Sequence, residues 1–130
     1  MPKHYAARTD VPVSKSKTDI ETLVKSKGAA GFGMMEIDGA FQIAFRMEGR
    51  NLLFRVMLPD DDQQQRSMMR ALLLTIKGKL ESAARGIETF EEAFLANVVM
   101  PDGQTVGDTA RPNIEAAYQG RDVPLLPHYK

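Results

Sequence analysis

A chain of 130 residues with 17 basic and 17 acidic side chains carries no formal net charge, which excludes a global field that would gather nucleic acid or an anionic membrane. It has no cysteine, so disulfides, thiol catalysis and thiolate metal sites are excluded together. The length fits a single domain over 1–130 with one core, and eight methionines with no tryptophan suit an irregularly filled, adaptable interior.

The opening MPKHYAARTD is polar and aperiodic, so 1–10 is expected to be a tail. It holds no apolar run of the signal-peptide kind, and no stretch approaches the roughly 20 apolar residues of a membrane span. The expectation is a soluble, cytoplasmic protein with no membrane partner. Val11-Pro12-Val13 reads as an extended lead-in, because proline disfavours helix at the preceding residue. Ser16 with Asp19 reads as a capping-box variant opening a helix, with Ile20, Leu23 and Val24 as its apolar stripe and Gly28 as its stop. Lys15, Lys17, Lys25 and Lys27 fall off that stripe, on an expected solvated face.

Residues 31–58 contain three alternating apolar and polar runs split by two turn signals, Asp38-Gly39 and Gly49-Arg50. That pattern predicts a three-stranded antiparallel sheet. Counting from the turns pairs Glu36 with Phe41, Met34 with Ile43 and Phe32 with Phe45. On the other side it pairs Met47 with Leu52, Phe45 with Phe54, Ile43 with Val56 and Phe41 with Leu58. One face then collects Phe32, Met34, Phe41, Ile43, Phe45, Met47, Leu52, Phe54, Val56 and Leu58 as a core.

Beyond Pro59, Asp60-Asp61-Asp62 could suggest a metal, but no other ligand is spaced to converge with them, so they are read as an N-cap. Met69, Leu72, Leu73, Ile76, Leu80 and Ala83 give a long helix over about 63–85 one continuous apolar side. Gly78 lies within it as a candidate close approach of backbones, and Gly86 ends it. Thr89-Phe90-Glu91-Glu92 is a capping box for a short helix, whose glutamates need no catalytic explanation. MPDGQTV over 100–106 predicts a turn or small hairpin, and a last helix is expected from Asp108 or Arg111 to Gln119 with Pro112 in its first turn. The proline-flanked tail VPLLP should dock on something. The predicted class is α+β: a three-stranded antiparallel meander flanked by an N-terminal helix and a long helix (11–86), with a helical and hairpin C-terminal extension (87–120) and an extended tail (121–130).

No enzyme signature stands out. His4 and His128 lie in the tails, no phosphate loop is present, and Gly31-Phe32-Gly33 precedes a hairpin instead of a helix. A non-enzymatic protein without metal or cofactor is expected. The informative surface is the outer sheet face: Gly33, Met35, Ile37, Gln42, Ala44, Arg46, Leu53, Arg55 and Met57, with Glu48 and Asn51 near the turn. Gly33, Ala44 and Arg55 are expected in one row with Arg46 diagonal to Arg55, two guanidinium groups beside small residues. The face is too apolar to remain in water, so residues 90–126 or a second subunit should cover it, and a pocket under such a cover could bind a ligand.

The stretches VPVSKSKTDIE, RALLLTIKGKLESAARGIETFEEAFLANVVMPDGQTVGD and IEAAYQGRDVPLLP resemble a family of uncharacterised small proteins encoded by tailed phages and prophages, across nearly the whole chain. The short Asp/Gln-rich connection after Pro59, and Met68-Met69 where relatives often carry tryptophan, depart from that pattern. The resemblance implies a phage accessory protein in a bacterial cytoplasm and transfers no site residues. Two functions follow as expectations. The first is nucleic-acid binding through Arg46, Arg55, Gln42, Met35 and Leu53 of the sheet with Lys17, Arg66, Arg70, Lys77 and Lys79 of the helices. The alternative is an anti-defence protein that sequesters a nucleotide signal or blocks a host defence protein. A homo-oligomer using the tail is expected in either case.

Overall fold

The structure, a computed structural model, describes residues 10–129; His4 and all but the last residue of the expected 1–10 tail lie outside them. Its order is α1 (Val13–Ser26), β1 (Ala30–Ile37), β2 (Ala40–Met47), β3 (Arg50–Met57), α2 (Asp62–Ala84), α3 (Phe90–Phe94), a 3₁₀ turn (Leu95–Asn97) and α4 (Val106–Tyr118). The sheet is an antiparallel meander in the order β1-β2-β3, so the α+β class read from periodicity holds. Helices α1 and α2 lie on one face of the sheet. Ile20 and Val24 from α1, and Met69, Leu72, Leu73, Ile76 and Leu80 from α2, meet Phe41, Ile43, Phe45, Met47, Leu52 and Phe54 in one core. An aromatic ladder runs through it. Phe32, Phe45 and Phe54 stack at 6.4 and 6.2 Å between ring centres, and Phe94 meets Phe54 edge-on at 6.1 Å, a favoured aromatic geometry.

The first hairpin turns at Asp38-Gly39 as expected, with φ of 51° and 78°, and Met34 and Glu36 pair with Ile43 and Phe41. The second turns at Glu48-Gly49, one residue earlier than expected, with φ of 54° and 73°. A two-residue type I′ turn needs positive φ at both positions, and Glu48 accepts that conformation so that Met47 pairs with Arg50 and the ladder gains a rung. Arg50 in turn reaches Glu91 of α3 at 2.7 Å. The pairing of β2 with β3 therefore differs from the expected one by two residues: Phe45 faces Leu52, Ile43 faces Phe54 and Phe41 faces Val56. A shift of two preserves the face of every side chain, which is why the core assignment survives the error.

The caps show where local signals hold. Asp61 caps α2, its carboxylate accepting from the Gln64 N–H at 2.9 Å. Thr89 and Glu92 complete the capping box of α3, and the backbone N–H of Thr89 on the Glu92 carboxylate holds its pKa below the usual range. Ser16 is a correction. Helix α1 starts a turn earlier, with the Pro12 carbonyl accepting from the N–H groups of Lys15 and Ser16, and Ser16 joins Ile20 and Val24 on the buried stripe. Among the described residues its hydroxyl has no hydrogen-bond partner. Helix α4 likewise begins at Val106, capped by Thr105, so Pro112 lies inside it and not in its first turn.

Gly78 is a further correction, because a methyl group built there would meet nothing within 4 Å among the described residues. No backbone approaches it. Since glycine in an exposed helix interior is less favourable than alanine by about 0.8–1.0 kcal/mol, Gly78→Ala is expected to stabilise the protein by about 0.5–1 kcal/mol. Chemical denaturation would show this as a higher midpoint with an unchanged slope.

The C-terminal segment runs along the free edge of β3. Val98 forms an antiparallel bridge with Leu52, the Val99 N–H donates to the Asn51 carbonyl at 2.8 Å, and the Asn97 side-chain amide donates to the Leu53 carbonyl at 3.1 Å. The expected 100–106 turn is present, closed by a bridge between Val99 and Thr105. The tail folds back on its own helix: Asn113 of α4 donates to the Leu125 carbonyl at 2.9 Å. Burial, with the Asp102 charge adding to it, raises the pKa of the Tyr129 phenol.

Candidate binding face

The outer face of the sheet is organised in rows set by the observed register: Ile37-Ala40-Met57, Met35-Gln42-Arg55, Gly33-Ala44-Leu53 and, at the turn end, Arg46 beside Asn51. Arg55 thus shares a row with Gln42, and Leu53 takes the place beside Ala44 that was expected for Arg55. Arg46 and Arg55 are not diagonal neighbours. Asn51 pairs with Arg46, and four residues of strand at about 3.4 Å each separate Asn51 from Arg55, roughly 14 Å.

The 3₁₀ turn and α4 cover the β3 side of this face and leave two adjoining clefts that share Leu53. The first, of about 440 Å³, is lined by Ala30, Gly31, Ala44, Leu53 and Val99, with Arg46 and Asn51 as its polar side chains. Arg46 Nε donates to Asn51 Oδ1 at 3.2 Å, a neutral partner, so its positive charge is not cancelled there. The second, of about 330 Å³, lies between Leu53 and Arg55 of the sheet and Asn97, Thr105, Gly107, Asp108 and Arg111. Here the charges are shared: Asp108 lies 3.3 Å from Arg55 and 3.6 Å from Arg111.

Cover of the outer face in cis is partial. Met35, Ile37 and Met57 remain 55%, 53% and 64% exposed.

The basic side chains expected to join Arg46 and Arg55 belong to the helical layer, on the opposite side of the sheet. Arg66 pairs with Asp62 at 3.3 Å and Arg70 with Asp19 at 3.7 Å. Lys17 pairs with Glu36 at 2.7 Å while lying over the Phe41 ring, and Lys79 donates to the Ala93 carbonyl. Lys77 and Arg70 line a separate cleft between α1 and α2. The structure brings Arg46, Leu53, Gln42 and Arg55 onto one face and does not bring Arg66, Arg70 or Lys77 to it. No family model, no curated protein and no solved structure matches the chain. Among the described residues no group of three or more His, Cys, Asp or Glu side chains could hold a metal ion, and no helix is long and apolar enough to cross a membrane.

Asn97, Asp108 and Arg111 are the site residues that sequence reasoning missed. Asp108 stood out only as a possible helix start, and no local signal connects it to Arg55, 53 positions away.

Proposed function

We propose that the chain is a non-enzymatic accessory protein, of the phage kind its sequence resembles, whose outer sheet face binds a nucleotide-class ligand. The observation that carries this reading is Arg46: a guanidinium with a neutral partner in the lining of a small, mostly apolar cleft. A phosphate would take up its donors in a bidentate, charge-assisted pair, and the base and sugar would lie over Ala44, Leu53 and Val99. A cleft of this size holds a small molecule in preference to a long polymer. Extended nucleic acid is the second reading. The ion pairs of Lys17, Arg66 and Arg70 weigh against it, because each contact with a phosphate would first displace a carboxylate.

Thermal denaturation with nucleoside mono- and diphosphates, cyclic nucleotides and short single- and double-stranded oligonucleotides is the test. Ligand at 100 times its dissociation constant should stabilise the protein by about 2.7 kcal/mol. Arg46→Ala should weaken nucleotide binding about ten- to a hundredfold, the worth of a charge-assisted hydrogen-bonded pair. Unchanged affinity in Arg46→Ala, or no shift with any nucleotide, overturns the nucleotide reading. Oligonucleotide binding that falls steeply with salt and depends on Arg66 and Arg70 would favour nucleic acid. A host protein that co-purifies while no nucleotide or oligonucleotide shifts the melt would favour blockade of a host defence protein.

A further inference from the structure

Strand β1 is an open edge of the sheet. It pairs with β2 on one side, and among the described residues no bridge lies on the other. Its outward N–H and C=O groups form a row that attracts another strand. The irregularity that could blunt this edge is confined to its first half, between Ala30 and Gly33, where Gly31 has a φ of 62°. From Gly33 to Ile37 the ladder is regular, and the sequence Gly-Met-Met-Glu-Ile contains neither the lysine nor the proline that commonly guards an edge.

We propose that residues 33–37 pair antiparallel with the same residues of a second copy, joining two sheets into one six-stranded sheet about a two-fold axis at Met35. In an antiparallel ladder opposed residues share a face, so a two-fold axis that keeps both cores on one side must pass between a residue and its own copy. Centred on Met35, the pairing sets Met35 against Met35 and Ile37 of one copy against Gly33 of the other, bulky against small. It shields the half-exposed Met35 and Ile37 side chains without help from the C-terminal tail, which is engaged with α4.

Charge selects a second copy over a charged partner strand. Glu36 is the one ionisable side chain of β1, and Lys17 of the same chain sits 2.7 Å from it. Each edge therefore carries a neutralised pair to the seam, and a chain with zero formal net charge does not repel its copy. Five residues a side bury less than the roughly 1,200 Å² of stable complexes, so association is reversible and concentration-dependent.

The absence of cysteine makes single-cysteine variants unambiguous. Opposed Cα atoms in antiparallel strands lie about 4.5–5.5 Å apart, within disulfide reach. Met35→Cys is expected to form a covalent homodimer under mild oxidation, while Met57→Cys and Tyr118→Cys stay monomeric. Analytical ultracentrifugation from about 1 μM to about 1 mM should show the unaltered chain passing from monomer to dimer, and Met35→Lys remaining monomeric. A chain truncated after Gly120 should dimerise as the full chain does. A monomer at every concentration overturns the proposal, as does cross-linking through Met57 and not Met35, which would mean that the outer faces stack. Circular dichroism confirms folding of each variant, and the Met35→Cys result decides alone if Met35→Lys does not fold.

Discussion

Replacing Phe94 by alanine is expected to lower the free energy of unfolding by about 3–5 kcal/mol, a large share of the roughly 5–15 kcal/mol typical of a folded domain. Phe94 is fully buried, although it belongs to a helix of only five residues. Its ring meets Phe54 edge-on at 6.1 Å and Phe90 at 4.8 Å, so it fastens the C-terminal segment to the aromatic ladder of the sheet. Truncation would remove the transfer free energy of a whole ring and leave a cavity beneath β3 that rigid neighbours cannot fill. Urea denaturation measures the change. A loss below about 1 kcal/mol would mean that α3 lies outside the cooperative core. The consequence also reaches the binding face, because Asn97, three residues on, holds the 3₁₀ turn to Leu53, and Asp108 and Arg111 follow on α4.

The sheet, both layers of the core and the caps at Asp61 and Thr89 were legible in the sequence because each is specified locally or by a strict period. Alternation assigned faces correctly even where the pairing of β2 with β3 differed by two residues, since that displacement leaves the pattern unchanged. The same degeneracy misplaced Arg46 relative to Arg55: turn chemistry alone had to choose between Glu48-Gly49 and Gly49-Arg50, and it favoured a glycine-first turn that the protein does not use. Ser16 misled for a related reason. A serine followed by an acid three residues later resembles a cap, but its position four residues before Ile20 places it equally well on the buried stripe. The return of residues 90–126 onto the sheet was one of the two covers expected, but the contacts it makes with β3 could not be read. The ion pair of Arg55 with Asp108 spans 53 positions, and it depends on where α4 docks, which no periodicity encodes.

Gly107→Ala is expected to destabilise the protein by about 1–2 kcal/mol, opposite in sign to the same change at Gly78, although both glycines lie in helices. Helix propensity alone would favour alanine at either position. At Gly107, however, a methyl group would stand 3.0 Å from the carbonyl oxygen of Ala96 and 3.2 Å from its Cβ. That neighbour has little freedom to withdraw. It lies between Phe94, which is buried, and Asn97, whose amide is bonded to β3, and the Val98 N–H closes the turn on the Leu95 carbonyl. Overpacking against a fixed backbone costs about 1–3 kcal/mol, and Gly107 is only the second residue of α4, where the gain in propensity is smallest. The steric cost wins. The substitution would also push the start of α4 away from the sheet, lengthening the 3.3 Å contact of Asp108 with Arg55. Paired denaturation curves of Gly78→Ala and Gly107→Ala separate the two effects: midpoints that move in opposite directions support this docking of α4, and a stabilising Gly107→Ala would place its N-terminus farther from the 3₁₀ turn.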